Sequence, residues 1–327
     1  MAARAEHALT RHLATGVCLV LGLAGCAALG PGQGRLAGVE PRAGAIYEVA
    51  SGRLVDQAEL LESLAGADFV LLGESHDDPL HHRLQAQLVR ALARAGAPPA
   101  AVAFEMIPTD RQLAVVEYLE QRPDDARDLG PATGWQQRGW PDFAQYAPIV
   151  QAALDAGAVI VAGDLPGAQQ DRVLEHGARA LRTSFVRRTG LDQKLPAPLA
   201  VGLRQELLQS HCGEVAAGAL EGMSRVQRAR DAMLADRLAA VSGRQRGVLI
   251  AGRGHVRTDR GVPWYLRRLR PDARIVSLAF IEVDEAHPGS SPETPFDYVW
   301  FTPSIARDDP CAGYANRSPA TAAGERS

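Results

Sequence analysis

Several short apolar runs in this chain end on side chains that can hold protons or ions. Val70-Leu-Leu72 runs into Gly73-Glu74-Ser75-His76, and Ala103-Phe104 runs into Glu105. Val161-Ala162 is followed by Gly163-Asp164, and Ile250-Ala251 by Gly252-Arg253-Gly254-His255. Two imidazoles with two or three carboxylates suit either of two chemistries. They can coordinate a divalent metal, with His76, Glu105 and His255 as the candidate ligands, or work as an acid/base pair in which a carboxylate orients each histidine. A polar residue after a strand is often only the N-cap of the next helix, and Asp78 reads that way. Capping explains one residue per loop. It does not explain two Gly-x-x-His loops, Gly73 to His76 and Gly252 to His255, together with Glu74, Glu105 and Asp164.

Other chemistries are excluded by what is missing. The chain has no His-Glu-x-x-His, no Gly-x-Ser-x-Gly and no phosphate-binding P-loop. Gly252-Arg-Gly-His-Val-Arg257 lacks the third glycine of a dinucleotide fingerprint. Lys194 is the single lysine, which leaves Schiff-base and Ser-Lys catalysis almost without candidates. With Lys+Arg 35 against Asp+Glu 38 and a net charge of -3, no basic surplus exists for nucleic acid, so no nucleic-acid partner is expected.

The elements that would position the cluster are short strands. Asp68–Leu72, Ala101–Phe104, Ala158–Ala162, Gly247–Ala251 and Arg274–Ile281 are near-continuous apolar runs, as in strands buried on both faces. Asp78-Pro79 opens a helix over 81–95, Thr109 or Asp110 opens one through Leu119, and Asp142 opens one over 143–156. Residues 46–55 read as a hairpin turning at Ser51-Gly52. The alternation predicts an α/β fold: a mostly parallel β-sheet flanked by helices. The stretch from about 167 to 243 shows only helical patterns and is read as an inserted helical cap subdomain. If the strands are parallel, Glu74, His76, Glu105, Asp164 and His255 converge on the carboxyl edge of the sheet, where open α/β sheets bind ligands.

The chain ends carry separate signals. Arg4 and Arg11 precede the apolar run Gly16–Leu23, which is too short to span a bilayer and ends in Ala24-Gly25-Cys26. Leu23-Ala-Gly-Cys26 resembles a lipoprotein cleavage box. That predicts a signal peptide over 1–25, lipidation of Cys26, a flexible tether over 26–41 and a folded domain over 42–305. The expected location is the cell envelope, lipid-anchored to the outer membrane and facing the periplasm. Residues 306–327 read as a disordered tail. Cys212 and Cys311, left in an oxidising compartment, are a candidate disulfide.

At the strand-end residues the chain resembles the ChaN family of haem-binding lipoproteins, in the Tiki, TraB and erythromycin-esterase-like superfamily. The resemblance rests on ordered blocks: Val70–Gln85, Phe104–Met106, Gly139–Pro148, His211–Gly213, Gln227–Met233, and Ala251–Arg257 with Val262-Pro263. It implies non-covalent haem in a pocket, with a homodimer if two protomers share it, and a role in haem or iron acquisition. It suggests a tyrosine axial ligand, for which Tyr146 is the candidate, although Tyr146 could equally be a core aromatic. His81, His82 and His211 are further haem-binding candidates, with Arg83 beside them. No Cys-x-x-Cys-His occurs, so covalent c-type attachment is excluded. The superfamily's hydrolytic members imply the alternative, a metal-dependent or acid/base hydrolase using Glu74, His76, Glu105 and His255. A scaffold without any small ligand would be favoured if those four residues lay far apart.

Overall fold

The computed structural model describes residues 34–35, 41–216, 218–283, 293–309 and 311–312. The expected signal peptide, Cys26 and nearly all of the tether lie outside the described residues. In chain order the strands are β1 (Gly34–Arg35), β2 (Ile46–Glu48), β3 (Arg53–Val55), β4 (Phe69–Glu74), β5 (Ala101–Pro108), β6 (Val159–Asp164), β7 (Gly247–Gly252), β8 (Ile275–Val283), β9 (Glu293–Thr294) and β10 (Tyr298–Pro303). The helices are α1 (Gln57–Ala65), α2 (Pro79–Arg94), α3 (Gln112–Gln121), α4 (Leu129–Thr133), α5 (Ala147–Asp155), α6 (Gly167–His176), α7 (Thr183–Thr189), α8 (Ala197–Ser210), α9 (Ala219–Ser242) and α10 (Val262–Leu269).

Eight strands form one sheet in the order β3-β2-β10-β8-β4-β7-β5-β6, and β1 pairs with β9 separately. From β10 to β6 every neighbour is parallel, while the β2–β3 hairpin adds antiparallel strands at one edge. The five apolar runs become β4, β5, β6, β7 and β8, so the α/β class and the mostly parallel sheet hold. Their side chains alternate between two cores. Val70, Leu72, Val102 and Phe104 pack with α1, α2 and α5 on one face, whereas Leu71, Ala103 and Leu249 pack with α9 and α10 on the other. Burial on both faces is what makes these strands read as unbroken apolar runs.

Strand β10 was not expected. Tyr-Val-Trp-Phe-Thr is good strand sequence, but it follows a Ser- and Pro-rich stretch and adjoins the segment read as tail. The tail is also held at its start, because Arg307 pairs with Asp77 and Glu282 and Cys311 is disulfide-bonded to Cys212. Around the expected cap, α6, α7 and α9 supply Val173, Phe185 and Leu234 to the second core, so they belong to the sheet's flanking layer. Helix α8 contributes to neither core. Among the described residues no helix is long and apolar enough to cross a membrane.

Helix α2 begins as its sequence dictates. The Asp78 carboxylate accepts the Leu80 amide and Pro79 occupies the first turn. Asp142 caps only a 3-10 turn over Phe143–Gln145, and the α-helix starts at Ala147.

Candidate functional site

Strand β4 delivers Glu74 to the carboxyl edge, buried at 1 % exposure. Its Oε1 faces three groups: His76 Nδ1 at 2.9 Å, the Tyr146 hydroxyl at 2.6 Å and His82 Nε2 at 3.6 Å. Burial alone would raise the carboxyl pKa. The hydrogen bond from His76 and the nearby His82 imidazole outweigh it and bring Glu74 down to about 2. The site therefore has a permanent buried anion, and His76 stands on it.

Next to it, β5 loses regular register with β6 between Phe104 and Pro108, a break of the kind that re-aims a side chain. Glu105 lies in that break. Its Oε2 accepts the Gly252 amide at 2.7 Å and stands 3.6 Å from His76 Nε2. Its Oε1 accepts from Arg230 Nη2 at 2.8 Å and lies 3.2 Å from His255 Nε2. Arg230 also grips Asp164 from β6 through both Nε and Nη2. On the far side of His255, Nδ1 meets Asp231 Oδ1 at 2.7 Å. Burial works to lower the His255 pKa, but Glu105 and Asp231 win and hold it near 10. Both ring nitrogens face carboxylates, so His255 is an imidazolium.

The result is an alternating row: Glu74, His76, Glu105, His255, Asp231. All five sequence-derived cluster residues, Glu74, His76, Glu105, Asp164 and His255, come together at the sheet edge. Gly252 makes the close approach feasible, because a Cβ there would stand 2.7 Å from His76 Nε2.

As a metal centre the row is unsuited. Among the described residues the trio whose ligand atoms all lie within 4.8 Å of one another is Asp78, His81 and Glu282, not His76, Glu105 and His255. Arg230 already places a cation on Glu105, and both ring nitrogens of His255 are directed at carboxylates. The other trio fares no better. His81 Nδ1 accepts the Ser75 amide at 3.0 Å, so its Nε2 carries the hydrogen and donates to Thr302 Oγ1 at 2.9 Å. Glu282 is taken by Arg307.

The haem-ligand candidates are scattered. Tyr146 is wholly buried, 4.0 Å from the His82 ring and 4.8 Å from Trp135, and its hydroxyl is committed to Glu74. Tyr146 thus sits as the core aromatic that the sequence equally allowed, with its hydroxyl turned to Glu74 and not to the cleft. His81 and His82 are likewise buried. Arg83 lies exposed on α2. His211 is exposed at the end of α8, its Nδ1 bonded to the Leu207 carbonyl at 2.8 Å.

Above the row opens a cleft of about 830 Å³, lined by His76, Arg253, Arg257, Ile281, Phe296 and Glu206 among others. His76 opens onto it with 32 % of its side chain exposed, and the Trp140 ring stands edge-on at 4.9 Å.

Residues 60–266 match the family described as haem-binding uptake, Tiki superfamily, ChaN. This chain belongs to that family. Among solved structures, the ChaN of Campylobacter jejuni, described with cofacial heme binding, is similar at 19 % identity and a TM-score of 0.60, covering 78 % of this chain and 95 % of its own. At that identity the likeness is one of fold. The type III effector HopBA1 matches at 15 % identity and a TM-score of 0.41, covering 75 % of this chain and 92 % of its own. An erythromycin esterase in its open conformation matches at 17 % and 0.38, covering 80 % and 83 %. No curated protein sequence matches significantly.

Within this ChaN-family chain, Arg230 and Asp231 were not singled out from the sequence. They sit mid-helix on α9, with no motif of their own. The available signal was a charged Arg-Asp pair beside small residues in Gln227–Met233, on a face that turns out buried. Trp140 was likewise present only inside a longer block.

Proposed function

We propose that this protein binds haem non-covalently in the cleft above His76. Family membership supports haem as the ligand, and one observation of geometry carries the choice of residue. His76 is the histidine of the row that opens on the cleft, with Nδ1 fixed on an ionised, buried Glu74. A carboxylate on one ring nitrogen is how proteins orient a ligating imidazole, and a metal centre bound here would have to draw Nε2 away from Glu105, which stands 3.6 Å from it. Ile281 and Phe296 supply apolar surface, and Arg253 and Arg257 supply donors for propionates. The cleft lies within the size range of small-molecule sites. His76, with its ring held by Glu74, is the residue that would hold haem iron here, and the bound group would supply the redox-active metal.

The lipid anchor on Cys26 belongs to the same proposal. It would hold the cleft at the outer membrane, facing the periplasm, where imported haem or iron passes. A homodimer bringing two clefts face to face would suit the cofacial arrangement described for the Campylobacter jejuni protein. The test is a haemin titration of the purified protein followed by absorbance. A Soret band is expected at stoichiometric haemin, lost in His76→Ala and retained in Tyr146→Phe. No band at stoichiometric protein would sink the proposal.

A second reading, hydrolysis by general acid/base catalysis, draws on the same row. Against it stands His255, whose pKa near 10 is far from the operating range of a base at neutral pH. His76 is the histidine of the row that opens on the cleft, so ester hydrolysis would have to vanish in His76→Ala and survive in His255→Gln.

A further inference from the structure

Helix α8 is held unlike its neighbours. Of its residues only Leu203 is buried, and Leu203 belongs to neither core. It lines instead a cavity of about 220 Å³ between α8 and α9, which shares no residue with the cleft above His76. Four cations converge on that cavity: Lys194 from the loop before α8, Arg204 from α8, and Arg225 and Arg228 from α9. Glu221 is the one carboxylate among the described residues that line it. Exposed arginines elsewhere take a carboxylate, as Arg53 does with Glu59, Arg127 with Asp125 and Arg188 with Asp236. Here, among the described residues, none of the four cations is ion-paired, and Lys194 and Arg204 make no side-chain hydrogen bond. The two arginines of α9 are fixed by neutral acceptors. Arg228 donates through Nη2 to the carbonyls of Leu191 and Gln193 and through Nε to the Tyr265 hydroxyl, and Arg225 Nη2 donates to the Leu174 carbonyl. Their charge is held in place without being neutralised.

We propose that this cavity is a receptor for a phosphate ester. Four like charges around one small space raise a positive potential in it, which an anion relieves. Guanidinium forks take phosphate oxygens in pairs, and a lysine adds a point charge. A phosphate group, with its several terminal oxygens, meets this donor set more fully than a carboxylate, which has only two oxygens and one charge. Leu195 and Leu203 supply an apolar wall for the first carbons of the esterified group. At about 220 Å³ the space lies below the roughly 300 Å³ lower end of small-molecule sites, so it takes a head group and not a whole large ligand. A soluble monoester and a phospholipid head group present the same chemistry to these donors. Neither depends on what the cleft binds.

The experiment is titration calorimetry of the full protein at low salt, with monobutyl phosphate as the soluble probe and monomeric dihexanoyl phosphatidylglycerol as the lipid probe. Saturable binding at one site per chain is expected. Arg204→Gln and Lys194→Gln should each weaken it about tenfold, since each removes a charged donor. Neither side chain bonds to the rest of the fold, so circular dichroism should be unchanged in both variants. Glu221→Gln should tighten binding, because the opposing charge at the cavity is gone. Binding of monobutyl phosphate alone assigns the receptor to soluble monoesters, and binding of the phosphatidylglycerol assigns it to lipid head groups. No saturable binding of either probe, or binding that Arg204→Gln and Lys194→Gln leave unaltered, overturns the receptor.

Discussion

Asp231 on α9 meets Nδ1 of His255 at 2.7 Å, and both side chains are buried. The pair acts as an anchor between the long helix and the loop after β7, with Glu105 completing the charge balance from the other side of the ring. Asp231→Asn would leave a buried imidazolium with one counter-charge instead of two. Breaking a buried pair from one side costs about 3–5 kcal/mol, with the remaining Glu105 bond placing this case at the lower end. A matching fall in urea stability is expected, along with a downward shift of the His255 titration from about 10, read by NMR. An unmoved titration would show that Asp231 does not hold the proton.

The same row sets the pH window of stability. His255 is raised from its ordinary 6.5 to about 10, so its contribution is full below 6.5 and is lost as pH rises toward 10. Glu74 is depressed from 4.5 to about 2, so its contribution is full above 4.5 and is lost as pH falls toward 2. Asp231 runs the other way. Burial raises it from 3.8 to about 6, and its contribution fades as pH rises through that interval. Urea unfolding across pH should therefore show an acid limb that Glu74→Gln flattens and an alkaline limb that His255→Gln flattens. Limbs that persist in the respective variants would place the titrating groups elsewhere.

Tyr146→Phe separates a supporting residue from a ligand. The hydroxyl donates to a fully buried carboxylate at 2.6 Å, and its loss leaves Glu74 one donor short. The expected cost is about 1–3 kcal/mol of stability. The Soret position after adding haemin should stay where it is, because the ring does not reach the cleft. A displaced Soret band would mean that Tyr146 touches the iron after all.

Much of this was legible because strand ends are local. Glu74, Glu105, Asp164 and His255 each follow a short apolar run, and parallel topology forces such ends to one edge. The residues that tune them were not legible in the same way. Arg230 and Asp231 act on Glu105 and His255 at sequence separations of 125 and 24, and nothing local distinguishes an inward-facing charged pair on α9 from a solvated one. Tyr146 shows the converse problem. Its block was recognisable, but whether the hydroxyl faces a ligand or a buried carboxylate depends on how α2 and α5 pack. What α9 packs against was hidden for a related reason: helical periodicity marks it as a helix without saying that the sheet is what it covers.

Gly252 offers the sharpest test of the His76 position. Its backbone torsions are open to any residue, and its amide bond to Glu105 survives a methyl group. The added Cβ, however, would lie 2.7 Å from His76 Nε2 and 3.1 Å from its Cε1, closer than such contacts occur. Gly252→Ala must therefore push the imidazole off Glu74, breaking the 2.9 Å Nδ1 bond at a net cost of only about 1 kcal/mol. The fold should stay intact while haemin affinity falls at least about tenfold, the equivalent of some 1.4 kcal/mol. Circular dichroism and a haemin titration decide it. If the variant keeps its fold and binds haemin like the parent, the ring's seat on Glu74 is not what the ligand uses, and the axial nitrogen must come from elsewhere, with exposed His211 the first to examine.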